Sequence, residues 1–185
     1  GEPEREPAGP RTIPPVSNLD HRSSVPPGGS ATIRGAMALL DLFRPPVLSA
    51  ADRERIVEAI RDAERGHRGE IRVHVERRCL RSDALARAEE LFRSLGMNDT
   101  AEGTAALLYV ATDDRVACVW AGPGLFEARA QGFWDDAVDE VAGGFLSGAP
   151  ARGIRVAVRR IGKLLAEIAP GEDDAGNELP DEVSG

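Results

Sequence analysis

The segment GTAALLYVA, residues 103–111, constrains the fold of this chain most strongly because its apolar run is nearly unbroken. A membrane helix needs about 20 apolar residues in succession, so this segment is too short to cross a bilayer. A strand with one face in water alternates polar and apolar residues, and this segment does not. We therefore interpret it as a central strand buried on both faces, which requires helices above and below the sheet.

The segments on either side of this central strand define how the sheet is connected. GEIRVHVERR, residues 69–78, alternates like a half-buried strand, and a helix with an apolar stripe follows, capped by Ser82. Strand, crossover helix and strand form a right-handed unit, so the two strands should be parallel. An Asp-Asp pair leaves room only for a tight turn before the strand at 115–122, which must return antiparallel. The sequence thus predicts a mixed, mainly parallel sheet with an antiparallel hairpin strand.

Apolar positions at helical spacing predict further helices around this sheet. Ser49, with Asp52 three residues later, is a good N-cap for a first helix. A short helix is predicted over residues 125–130, a longer one presents Trp134, and a last one begins at Pro150. Together these elements predict an α/β fold in which helices flank a mixed sheet.

Composition divides the chain into three parts. Residues 1–36 hold 7 of the 13 prolines without an apolar period, which predicts a disordered arm. Residues 37–169 form the predicted domain. Residues 170–185 form an acidic tail with six acidic residues and no basic one, so the tail supplies −6 of the net charge of −8. The apolar residues near its end lead us to expect that residues 177–183 lie against the domain.

The charge and the absence of familiar motifs exclude several classes of protein. A net charge of −8 argues against nucleic acid as a partner, because phosphate binding needs a basic face. The sequence shows no membrane span and no signal peptide, so we expect a cytoplasmic location. It has neither a Walker A pattern nor a G-x-S-x-G elbow. Cys79 and Cys118 are too few for a disulfide framework and are interpreted as buried thiols.

One end of the predicted sheet gathers carboxylates without basic neighbours. Glu70 opens the first strand, Glu102 precedes the central strand, and Asp135 follows Trp134 at a helix start. Oxygen ligands of this kind suit a hard cation, so the three acids are candidate ligands for calcium. Each also has an ordinary explanation, because the helix dipole favours an acid at the position of Asp135 and a solvated turn favours Glu102.

The opposite end of the sheet pairs acids with arginines. Arg77 and Arg78 follow the first strand, and Asp113 and Asp114 form the hairpin turn. We favour a solvated salt-bridge surface, with a phosphate or other anion site as the alternative. His74 could act as a general base, but a single histidine on a strand is more often a packed residue.

Several stretches together resemble the TPM domain family. They are AIRDAERGHRGEIRVHVE, LFRSLGMNDT, ALLYVATDDRVACVWAG, GFWDDAV and NELPDEV. The resemblance covers about residues 48–183 and is to the short soluble bacterial type, alongside thylakoid-lumen photosystem II repair proteins and bacterial membrane-anchored proteins. It implies a three-layer α/β/α sandwich.

The resemblance also implies candidate functions. Members of the family have been described as phosphatases, calcium binders, and assembly or repair factors. Glu70 matches the acid of the family's Gly-Glu-Ile motif, and Trp134 matches its helix-start tryptophan. The chain departs from the family at Pro123, where soluble relatives carry an acid, and at Thr104-Ala105, where they carry Asn-Gly.

We expect a soluble binding or accessory module, with a protein partner and with calcium as the candidate cofactor. One alternative is a phosphatase that acts on phosphomonoesters. The other is a protein-interaction module in the assembly or repair of membrane complexes.

Overall fold

A computed structural model describes residues 11–12, 46–81, 83–100, 103–171 and 183–185. Its helices are α1 (Ala50–Ala63), α2 (Ala84–Ser94), α3 (Pro123–Phe126), α4 (Gln131–Leu146) and α5 (Pro150–Ile168). Its strands are β1 (Arg11–Thr12), β2 (Glu70–Glu76), β3 (Ala105–Ala111), β4 (Val116–Ala121) and β5 (Val183–Ser184). A single 3₁₀ turn, Met97–Asp99, follows α2 within these residues.

The five described strands form one sheet in the order β1-β4-β3-β2-β5. β2 and β3 are parallel along their whole length, with Glu70 opposite Ala105 and Glu76 opposite Ala111. β4 runs antiparallel to β3 and to β1, whereas β5 is parallel to β2. Four of the five described strands therefore share one direction and β4 opposes them. The predicted mixed, mainly parallel sheet with an antiparallel hairpin strand is confirmed.

Helices cover both faces of this sheet. On one face, Ile71 and Val73 of β2 pack with α1, α4 and α5 in the larger apolar cluster. On the other face, α2 and Met97 pack against Leu107 and Tyr109 of β3. Every residue of β3 is buried, as its apolar run predicts. The predicted three-layer α/β/α sandwich is therefore confirmed.

Local signals explain where several helices begin. Ser49 and Asp52 form a reciprocal capping box at the start of α1, in agreement with the sequence. Asp83 caps α2 by accepting a hydrogen bond from the Leu85 amide, whereas the sequence favours Ser82, which lies outside the described residues. The short helix α3 begins with Pro123 at its first turn, so it starts earlier than the predicted helix over 125–130.

Two glycines bring α4 and α5 into close contact. A Cβ atom added to Gly144 would lie 2.7 Å from the Cα atom of Gly153. The two helix backbones can therefore meet there only because neither residue has a side chain. Within the described ranges, no helix combines the length and the apolar character needed to cross a membrane.

The two outermost described strands come from the segments assigned by sequence to the arm and to the tail. Thr12 of β1 pairs with Val116, and Val183 of β5 pairs with Val73. Residues 1–10, 13–45 and 172–182 lie outside the described residues. The division into an arm, a domain over 37–169 and a tail over 170–185 therefore stays a prediction.

Candidate functional site

A row of polar side chains lies on the face of β2 that is turned toward the α2 layer. Ile71, Val73 and Val75 pack on the other face, so the residues that alternate with them point toward α2. These residues are Glu70, Arg72, His74 and Glu76. Six of the seven residues of β2 are buried, so the expected half-buried strand is buried on both faces. Because buried polar groups need partners, this row of side chains is the candidate functional site.

Glu76 accepts hydrogen bonds on both of its carboxylate oxygens. Arg87 of α2 donates from Nε to Oε1 and from Nη2 to Oε2, each at 3.1 Å. The Tyr109 hydroxyl donates to Oε1 at 2.6 Å. Burial alone would raise the pKa of Glu76, but the hydrogen bonds from Arg87 and Tyr109 outweigh it and hold that pKa below its ordinary value. Glu76 is therefore ionised at neutral pH and paired with a forked arginine.

His74 packs among Tyr109, Glu76 and Ser184. Its ring stacks on the Tyr109 ring, with centroids 6.0 Å apart and 9° between the planes. Its Nδ1 atom lies 2.8 Å from Ser184 Oγ, and its Nε2 atom lies 3.5 Å from Glu76 Oε2. Burial lowers the pKa of His74, against the opposing effect of the Glu76 charge. This is the environment of a packed, neutral histidine. We call His74, Glu76, Arg87 and Tyr109 the β2 cluster.

β5 lies beside β2 and is held by three different parts of the domain. Its backbone pairs with β2 in parallel, which places Ser184 beside His74. Arg53 of α1 donates from Nη1 to the carbonyl oxygen of Val183 at 3.1 Å. The same guanidinium donates from Nη2 to the carbonyl oxygen of Gly185 at 3.4 Å. The β2 backbone, the His74 ring and the Arg53 side chain thus contact one short segment.

The predicted cluster of acids and arginines does come together at one end of the sheet. Arg77 Nε lies 3.4 Å from Asp113 Oδ2, and the Asp113 amide donates to the Arg77 carbonyl at 2.7 Å. Asp114 Oδ2 accepts a hydrogen bond from the Cys79 amide at 2.6 Å. Arg78 is exposed in the same loop. These contacts join the segment after β2 to the β3–β4 hairpin, and binding of an anion there stays a prediction.

The predicted calcium ligands are not all described. Glu70 is buried on the face of β2 turned toward α2, whereas Asp135 belongs to α4 on the other side of the sheet. Asp135 accepts a hydrogen bond from Gln131 Nε2 at 3.2 Å. Where the structure describes the chain, no three His, Cys, Asp or Glu side chains are grouped as metal ligands. Glu70 and Asp135 alone do not fit a calcium site, and with Glu102 outside the described residues the set stays a prediction.

Comparison with known proteins identifies the family. A sequence model of the TPM domain matches residues 45–164. The chain belongs to the TPM domain family. This TPM domain is similar to the BA42 protein of the psychrophilic bacterium Bizionia argentinensis, with 33% sequence identity and a TM-score of 0.67 to its NMR structure. The likeness covers 74% of this chain and 94% of BA42, and the predicted resemblance to the family is confirmed.

A more distant structure shares the fold alone. The N-terminal domain of the cg2496 protein from Corynebacterium glutamicum is 14% identical, with a TM-score of 0.52. That likeness covers 68% of this chain and 78% of the other. None of the curated proteins matches this TPM domain.

Sequence reasoning missed two members of the β2 cluster in this TPM domain. Arg87 lies on α2 among residues read as an apolar stripe, and Tyr109 lies in the strand read as wholly apolar. The pair His74 and Glu76 could have indicated that such partners exist, because both side chains share one face of β2 and need polar partners if a helix covers that face. Tyr109 is the only tyrosine of the chain and interrupts an otherwise aliphatic strand.

Proposed function

We propose that this TPM domain is an accessory module that acts by binding another protein. The observation that carries the proposal is the pairing within the β2 cluster. Both oxygens of Glu76 are used by Arg87 and Tyr109, and His74 packs on Tyr109 and contacts Ser184. Its ionisable groups are committed to one another and to the fold, in contrast to a catalytic acid or base, which must reach a substrate.

The acids of the β3–β4 hairpin, next to the end of β2, are also engaged in holding the fold. Asp114 accepts a hydrogen bond from the Cys79 amide, and Asp113 contacts Arg77 through both its side chain and its backbone. Such contacts fix the loop after β2 against the hairpin between β3 and β4. They favour a structural role for these carboxylates over the competing function, hydrolysis of a phosphomonoester.

A hydrolysis assay separates the two functions. The purified full chain should not hydrolyse p-nitrophenyl phosphate above the background rate, with magnesium, manganese or calcium supplied in turn. Asp113→Asn and Asp114→Asn are assayed beside it. The matched control is Asp62→Asn, because Asp62 is an exposed acid of α1 that pairs only weakly with the exposed Arg65, just beyond the end of the helix.

A hydrolysis rate that disappears in Asp113→Asn or Asp114→Asn but persists in Asp62→Asn would overturn the proposal in favour of a phosphatase. Background rates in all four proteins support a binding module. Far-UV circular dichroism of each variant confirms that a lost rate does not simply report unfolding.

A further inference from the structure

β5 shows that the edge of β2 can accept an extended segment. β2 has seven residues, and in the described part of the chain β5 pairs with only Val73 and His74. Strands in globular domains average about five to six residues, so a strand of two residues is held weakly by its backbone alone. Contacts of the three residues 183–185 with the domain must therefore supply much of the stability of this pairing.

Each of the residues 183–185 contacts the domain in a different way. Val183 packs against the apolar cluster that lies between the sheet and α1. Ser184 places its hydroxyl 2.8 Å from His74 Nδ1. Gly185 has a φ of +113°, and a side chain there would collide with the backbone of Val75. The edge of β2 therefore accommodates an apolar residue, a hydroxyl residue and a glycine in succession.

Arg53 adds a contact that does not depend on the side chains of the bound segment. Its guanidinium donates to the carbonyl oxygen of Val183, in β5, and to that of Gly185, the residue directly after β5. Main-chain hydrogen bonds supply affinity when a peptide extends a sheet, and pockets for side chains supply specificity. Both parts of that recognition mode are present here in one place.

We propose that the edge of β2 is a binding site for an extended segment of a partner protein, with the pattern apolar residue, serine or threonine, glycine, bound parallel to β2. Residues 183–185 occupy the site in the absence of the partner and must leave when the partner segment binds. The inference rests on the proposed function, because it names the surface and the chemistry of the partner for a module that acts by binding.

The test uses the full chain with Gly185→Val, a change that expels β5 from the edge and leaves the site open. The labelled peptide is NELPDEVSG, residues 177–185, amidated so that no terminal carboxylate contributes. Fluorescence anisotropy should give a dissociation constant on the order of 0.1 mM for this variant, typical of a short main-chain contact. The wild-type chain should bind about tenfold more weakly, because its own tethered strand competes at an effective concentration of roughly 1 mM.

Two controls give the test its specificity. In the Gly185→Val chain, Arg53→Met should weaken peptide binding several-fold, whereas Arg55→Met should not, because Arg55 is exposed and pairs with Asp52 of its own helix. The peptide with valine in place of its final glycine should not bind. Circular dichroism and thermal melting establish that each variant is folded.

The proposal is overturned if a folded Gly185→Val chain does not bind the peptide at about 1 mM, or if it binds the valine peptide equally well. Sedimentation of the wild-type chain should show a monomer. A concentration-dependent dimer that Gly185→Val abolishes would assign the edge to a second copy of this chain and would also overturn the proposal. If the peptide does not bind and the chain has no phosphatase activity, the proposed binding function stands but uses a different surface. Phosphatase activity that depends on Asp113 overturns the proposed function itself.

Discussion

Replacing Arg87 with methionine tests the structural role of the β2 cluster. The change removes both hydrogen bonds from Arg87 to Glu76 and keeps the aliphatic part of the side chain. Glu76 and Arg87 are each only 14% exposed, so removing Arg87 would leave a largely buried carboxylate with Tyr109 as its main remaining donor. Removing one partner of a buried ion pair costs about 3–5 kcal/mol, and with Tyr109 remaining we expect about 3 kcal/mol.

Urea unfolding followed by circular dichroism measures this loss. For a chain of this size, about 3 kcal/mol corresponds to a fall of roughly 6–12 °C in melting temperature. The control is Arg93→Met on the same helix, because Arg93 pairs with Glu89 at the surface and such a pair contributes only about 0.3–0.5 kcal/mol. Equal unfolding free energies for the two variants would refute the structural role of the cluster.

The pH dependence of the Arg87→Met effect provides an independent check. Because the pKa of Glu76 lies below its ordinary value in the folded chain, Glu76 contributes stability above the unfolded pKa of about 4.3. That contribution is lost as the pH falls through the folded pKa. The difference in unfolding free energy between wild type and Arg87→Met should therefore shrink below about pH 4. A difference that stays constant down to the acid limit of folding would mean that the Glu76 charge is not involved.

Three further predictions concern His74, the contact between α4 and α5, and the candidate calcium ligands. Because burial lowers the pKa of His74, the stability that neutral His74 contributes is present above the unfolded pKa of about 6.5 and falls at lower pH. In urea titrations, the unfolding free energy of wild type should therefore exceed that of His74→Gln by less at about pH 5 than at about pH 7.5. Gly153→Ala should reduce the unfolding free energy by about 1–3 kcal/mol, because the added Cβ would collide with Gly144 of α4. Gly143→Ala, whose Cβ would lie in open space, should be neutral or slightly stabilising. Equal effects of the two changes would contradict the close contact between α4 and α5. If the predicted calcium site exists, titration with millimolar calcium should release or absorb heat in calorimetry, and Glu70→Gln should abolish that heat. A wild-type titration without heat would exclude the site.

The elements predicted well from the sequence are those with local signals. The apolar run of β3 is wholly buried, and the short turn after it forces β4 to return antiparallel. Ser49 and Asp52 lie three residues apart and form the predicted capping box. Each of these features depends on residues that are close in the chain, so spacing alone is informative.

The contacts that define the candidate site join residues that are far apart in the chain. Glu76 meets Arg87 at a separation of 11 residues and Tyr109 at a separation of 33. His74 meets Ser184 at a separation of 110 residues. Periodicity shows that Glu76 and His74 share a face of β2, but it does not show which helix or strand supplies their partners.

The role of Arg53 was likewise not predictable from its surroundings. It lies in the first turns of α1 among other charged residues, where an arginine ordinarily reads as a solvated side chain. Its contact with the carbonyl oxygen of Val183 spans 130 residues and depends on the return of the tail to the sheet. The sequence predicts that residues 177–183 lie against the domain, but it does not identify the edge of β2 as the place.

Nuclear magnetic resonance of the ¹⁵N-labelled Gly185→Val chain tests most directly whether this TPM domain binds through the edge of β2. The peptide of residues 177–185 and, separately, phenyl phosphate are added, and amide shifts are followed along the chain. The peptide should shift the amides of β2 and the side-chain signal of Arg53, and phenyl phosphate should shift none. Shifts at Arg77 and Asp113 on adding phenyl phosphate, together with an unchanged β2 on adding the peptide, would contradict binding at this edge and favour a phosphate site.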